Sequence, residues 1–167
     1  MPRDFESTTE SEPPSTAAVD DALTAARVDR ILAMAHLKDD AHVALIGHRT
    51  LPSLLALLQR GCRAVRCLRP DAPSPDREAA DLAWIVDVKG ERELDAALHA
   101  ARARVGVSGR VVVEGAECIC RAGCTVQDHA LAVGLDVVSF DHIANRVVLA
   151  ALRQNHQSAP SGLAAAA

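Results

Sequence analysis

The sequence predicts an α/β fold, a three-layer sandwich whose mostly parallel sheet ends in a C-terminal antiparallel hairpin. Three observations carry this. Short apolar runs of strand length recur, each closed by Gly, Asp or Pro. Segments with apolar residues at helical spacing stand between them. The last two runs are separated by only a short connection, which makes them an antiparallel pair.

The first helix is expected from Ala22 to Met34, capped by Asp20 or Asp21, with Leu23, Val28, Ile31, Leu32 and Ala35 on one face. His42-Val43-Ala44-Leu45-Ile46 ends at Gly47 and reads as a buried strand. After Gly47-His48-Arg49, Thr50 can cap a helix with Pro52 in its first turn. Leu51, Leu54, Leu55 and Leu58 form its expected buried face, and Gly61 stops it. Ala64 to Leu68 is a second strand, closed by Arg69-Pro70-Asp71, and a Pro-rich loop runs to Ala80. Leu82 to Val86 is a strand ending at Asp87. Glu91 to Arg104 is an amphipathic helix through Leu94, Ala97, Leu98 and Ala101. Arg110 to Glu114 is a strand between two glycines, and Thr125 to Val133 a short helix ended by Gly134. Asp136 to Phe140 and Arg146 to Ala150 make the closing hairpin. Right-handed crossovers turn this order into a Rossmann-like sandwich, whose ligands bind outside the carboxyl ends of the strands. Three turns should meet there: Gly47 to Thr50, Asp87 to Gly90, and Gly115 to Cys124.

Charge divides the chain. Residues 1–21 hold six acidic residues against Arg3, while the remaining 17 Lys and Arg nearly balance 16 Asp and Glu. With its Ser, Thr and Pro, that start reads as a disordered acidic leader, 155–167 as a flexible tail, and 22–154 as the folded domain. The only aromatic residues are Phe5, Trp84 and Phe140. So few rings, with a net charge of −4, argue against a nucleic-acid partner. No apolar run reaches membrane-spanning length and the start lacks a signal-peptide segment, so the expectation is a cytoplasmic protein with a small-molecule ligand or a protein partner.

The order of elements resembles a class I S-adenosylmethionine-dependent methyltransferase. Val43-Ala44-Leu45-Ile46-Gly47 looks like that family's first strand and opening glycine, and Ala80-Asp81-Leu82-Ala83-Trp84-Ile85 like its fourth strand. Ala132 to Val138, followed by Arg146 to Ala150, is similar to its closing hairpin. The resemblance implies S-adenosylmethionine as cofactor, with Gly47, His48, Arg49, Asp71 and Asp87 as cofactor-binding candidates. It does not name a catalytic residue. One of the family's three loop glycines survives here, and Asp71 stands shifted from the family's acidic residue after the second strand. The stretch before Asp81 is too short for the family's third helix and strand. These departures keep open a non-catalytic binding or regulatory module on the same fold. The strand closing at Arg69-Pro70 also resembles a CoA-binding Rossmann domain. A nicotinamide-binding reading ranks lower still, because its G-x-G-x-x-G fingerprint needs glycine where Arg49 and Pro52 stand.

The residues themselves add candidates. His48 can serve as an acid or base near neutrality or as a plain turn residue. Arg49 and Arg69 can pair with a phosphate. Asp87 is either a substrate-facing carboxylate or a helix cap. Cys118, Cys120 and Cys124, with His129, offer three thiolates and an imidazole to zinc, or thiolates to an iron–sulfur centre, although the spacing matches no strong signature. One of these thiols could instead be redox-reactive. Cys62, Cys67 and Trp84 read as core.

Overall fold

The structure, a computed structural model, describes residues 16–38, 40–71, 79–115 and 125–152. The apolar runs form six strands: β1 (His42–Gly47), β2 (Ala64–Leu68), β3 (Ala80–Val86), β4 (Val105–Glu114), β5 (Leu135–Asp141) and β6 (Arg146–Ala151). They make one sheet in the order β2-β1-β3-β4-β6-β5. β1 pairs in parallel with β2 and β3, and β3 with β4. β6 runs antiparallel to both β4 and β5. The fold is the expected Rossmann-like α/β sandwich with its closing hairpin.

Among the described residues four helices cover the sheet: α1 (Thr16–Met34), α2 (Leu51–Gln59), α3 (Glu91–Arg102) and α4 (Val126–Ala132). Alternation along the strands assigns each buried residue to a face. Val43, Leu45, Leu82, Trp84, Val86, Val112 and Val148 pack with Val28, Ile31, Leu57 and their neighbours from α1 and α2. Ala44, Ile46, Ala83, Ile85, Val111, Val113 and Leu149 pack with Leu94, Leu98 and Ala130 from α3 and α4. The central strands are therefore buried on both sides, which is why they read as continuous apolar runs.

Several local expectations are corrected. α1 begins at Thr16, inside the expected leader, so Asp20 and Asp21 lie within the helix instead of capping it. Ala17 and Ala18 are good helix formers and extend it backwards. Leu23, expected in the buried face, is exposed because it lies before the stretch that meets the sheet. Residues 1–15 and 155–167, expected as leader and tail, lie outside the described residues.

On α2 the buried residues are Ser53, Ala56 and Leu57, while Leu51, Leu55 and Leu58 are at least half exposed. Leu57 and the partly buried Leu54 carry the apolar contact, with the small Ser53 and Ala56 on the same buried side. Thr50 precedes α2 but its side chain makes no cap bond. β4 starts at Val105 rather than Arg110, because the register with β3 slips between Ala80/Val105 and Leu82/Arg110. The earlier strand start also ends α3 at Arg102, short of Arg104. Cys62 is buried as expected, whereas Cys67, on the edge strand β2, is exposed. Among the described residues no helix is long and apolar enough to cross a membrane.

Candidate functional site

The parallel strands β1, β2, β3 and β4 end at one edge, and the turns that follow them carry the polar residues. Gly47 opens the first turn at φ +153°, and a Cβ there would lie 1.8 Å from the Val86 carbonyl oxygen. The neighbouring strand β3 thus requires this glycine. Beyond it, His48 Nε2 lies 2.6 Å from Glu93 Oε1, and Glu93 Oε2 accepts the Lys89 N–H at 2.6 Å. The His48 and Lys89 hydrogen bonds hold the Glu93 carboxyl below its usual range. This pair ties the turn after β1 to the first turn of α3. Glu93 thereby caps the entry of α3, whose N-cap residue is Gly90. Asp87 is left free of a cap role, standing at φ +50° with Arg49 Nε at 3.9 Å from its carboxylate.

The described residues line two cavities at this edge. The larger, of about 890 Å³, is lined by Asp71 after β2 and by Lys89, Glu91 and Glu93 at the start of α3. The second, of about 550 Å³, lies over the ends of β3 and β4 and is lined by Arg27, Arg49, Asp87, Lys89 and Glu114.

Glu114 is the centre of the second cavity's wall. Antiparallel pairing of β4 with β6 sets Arg146 opposite it, and Arg146 Nε donates to Oε1 at 2.5 Å. From α1, Arg27 Nε donates to Oε2 at 2.9 Å, and its Nη2 bonds the same oxygen. Trp84 Nε1–H donates to Oε2 at 3.0 Å, and the Arg27 guanidinium sits over the Trp84 ring, 5.3 Å from its centroid. The side chains of Glu114 and Arg146 are 10% and 8% exposed, so this is a nearly buried charge cluster. Arg146 Nη1 is buried with no hydrogen-bond partner among the described residues.

The structure brings Gly47, His48, Arg49 and Asp87 to one edge, with Asp71 in the wall of the larger cavity. The third expected turn starts there at Gly115, but Cys118, Cys120 and Cys124 lie outside the described residues. His129, their proposed co-ligand, places Nδ1 2.6 Å from Asp95 Oδ1. Among the described residues no group of three or more His, Cys, Asp or Glu could hold a metal. Sequence reasoning missed Arg27, Glu93 and Glu114. Glu114 left one signal, a carboxylate ending an otherwise apolar strand run.

No family model matches the chain, and no curated protein matches it in sequence. Solved structures do match its fold. The methyltransferase CcbJ of Streptomyces caelestis superposes with a TM-score of 0.55 at 13% identity, over 84% of this chain and 94% of that one. DesVI of Streptomyces venezuelae gives 0.56 at 13% identity, over 84% of this chain and 100% of its own. The amino pentose methyltransferase CalS10 of Micromonospora echinaspora, solved with S-adenosylmethionine bound, gives 0.50 at 15% identity, over 84% and 98%. The chain carries a divergent class I methyltransferase-like fold.

Proposed function

We propose that this protein binds S-adenosylmethionine, or a related adenosine ligand, at the carboxyl edge of its sheet, as a divergent methyltransferase-like protein. The observation that carries this reading is the larger cavity, of about 890 Å³, with the Asp71 carboxylate at its wall. Its volume is within the range of small-molecule and cofactor sites. The fit to the group is one of donor chemistry: Asp71, without a partner among the described residues, is a carboxylate able to accept two ribose hydroxyls, and Lys89 adds a cation. S-adenosylmethionine, when bound, supplies a methyl group activated by its sulfonium. His48 reaches the wall of the larger cavity through its contact with Glu93, while Arg49 and Asp87, from the turns after β1 and β3, line the second cavity. That the matched CalS10 structure holds S-adenosylmethionine supports the choice of cofactor.

A second reading, a non-catalytic binding module on the same fold, is favoured by one observation. His48 fills the turn after Gly47 and is tied to Glu93, where the resemblance leads one to expect open glycine backbone. Calorimetric titration with S-adenosylmethionine, S-adenosylhomocysteine and CoA tests both. Heat from the first two and none from CoA is expected. Silence with all three, at protein concentrations that detect ~0.1 mM affinity, sinks the cofactor reading. Binding of both adenosyl ligands with no turnover across a panel of acceptors assigns the chain to the module.

A further inference from the structure

We propose that the second cavity, lined by Arg27, Arg49, Asp87, Lys89 and Glu114, binds an oxyanion, the carboxylate or phosphate group of a small acidic methyl acceptor. Its role as an acceptor site rests on the cofactor reading given above; its anion binding does not. The argument is one of charge and of hydrogen-bonding capacity already spent. Glu114 is the most buried anion of the wall, and its two oxygens accept from Arg27, Trp84 and Arg146. Two guanidinium groups thus share one carboxylate, which leaves the cluster with one positive charge in excess. Arg146 and Glu114 are nearly buried, where salt screens charge weakly, and the excess is presented to the cavity by the 41% exposed Arg27. Asp87 is matched by Arg49 at 3.9 Å. Lys89 adds a further cation, so the residues that line the cavity, together with Arg146 behind Glu114, carry a net charge of two positives.

Arg27 bonds Glu114 through Nε and Nη2, which leaves Nη1 unused on a side chain 41% exposed. An exposed, immobilised guanidinium edge with spare N–H groups is suited to a planar or tetrahedral oxyanion. Trp84, the only tryptophan, is fully buried, so the cavity has no ring surface of its own to offer. Recognition here falls to charge.

Trp84 is also the reporter, because Arg27 lies over its ring and Glu114 accepts its N–H. The full-length protein is titrated with inorganic phosphate and, separately, with succinate, sodium chloride being replaced at constant ionic strength. Saturable changes in tryptophan emission are expected in the millimolar range. Tighter binding of phosphate marks a phosphate-bearing acceptor, and tighter binding of succinate a carboxylate. Lys89→Gln should weaken binding roughly two- to fivefold, as loss of an exposed charge contact does. Asp87→Asn should tighten it by a similar factor, since it removes the anion that competes for Arg49. Asn tolerates the positive φ at this position, so the variant keeps the turn. A response no different from chloride, or saturation left unchanged in both variants, overturns the proposal. Calorimetry with S-adenosylhomocysteine on the same preparation separates the two readings. If S-adenosylhomocysteine binds and the anions do not, the oxyanion site falls while the cofactor reading stands. If the anions bind and S-adenosylhomocysteine does not, the acceptor role falls and the oxyanion site stands.

Discussion

Substituting Gly47 by alanine tests whether the edge is held by close strand contact or by backbone freedom alone. A Cβ at Gly47 would meet the Val86 carbonyl oxygen at 1.8 Å, the carbonyl carbon at 2.9 Å and Cγ2 at 3.1 Å. None of these atoms except Cγ2 belongs to a movable side chain. Gly47 also pairs with Val86 in the β1–β3 register, so relief requires the two central strands to separate at their carboxyl ends. Two costs add. Holding alanine at φ +153° costs about 1–3 kcal/mol. Overpacking a fixed backbone neighbour costs about 1–3 kcal/mol more. Gly90 separates them, because it stands at φ +155° with nothing within 4 Å of an added Cβ. Gly90→Ala therefore reports the backbone cost alone. Urea unfolding followed by Trp84 emission should show Gly47→Ala less stable than wild type by about 2–6 kcal/mol. Gly90→Ala should lose about 1–3 kcal/mol. Equal losses in the two variants would refute the assignment of Gly47 to contact with β3.

Four further outcomes are expected. Glu114→Gln strands the buried Arg146 charge and should cost about 3–5 kcal/mol in urea unfolding, and adding Arg146→Met should return at least half of it. Leu57→Ala should cost about 2–5 kcal/mol, whereas Leu55→Gln should stay within about 0.5 kcal/mol of wild type; the reverse order would restore the leucine face the sequence suggests. Because the folded-state carboxyl of Glu93 titrates below its ordinary 4.5, the His48–Glu93 tie stabilises above that pH and is lost as pH falls through the depressed value. Wild type and Glu93→Gln should thus differ in thermal midpoint at pH 7 and converge toward pH 3, and a difference unchanged at pH 3 would contradict the tie. Thr125 accepts the Asp128 N–H and Asp128 accepts the Thr125 N–H, so Thr125→Ala should cost about 0.5–2 kcal/mol by the same unfolding assay.

What was legible in the sequence depended on contrast within each segment. α3 was readable because Leu94, Ala97, Leu98 and Ala101 stand among charged neighbours, and those four are the residues it buries. α2 was not, because Leu51 to Leu58 is apolar almost throughout and offers no polar face to fix the rotation. The side that is buried carries Ser53 and Ala56 beside Leu57, and small residues at a close helix approach are a feature that apolar periodicity does not measure. The edge residues Gly47, His48, Arg49 and Asp87 were readable because each ends or follows an apolar run in a parallel sheet.

The charge cluster was hidden for a different reason. Arg27 and Glu114 are 87 positions apart, and Arg146 faces Glu114 only through the antiparallel register of β6. Yet part of it follows from Trp84. A buried indole N–H needs an acceptor, and in this sheet Trp84 pairs with Val112 of the next strand. Side chains alternate along a strand, so Glu114 points to the same face as Val112 and is the diagonal neighbour of the ring. Once β3 and β4 are adjacent, a lone tryptophan on one and a terminal carboxylate on the other are enough to require that bond. The carboxylate, brought under cover, in turn requires cations, and α1 and β6 supply them in excess by one. The excess positive charge of the Glu114 cluster is therefore a consequence of burying Trp84.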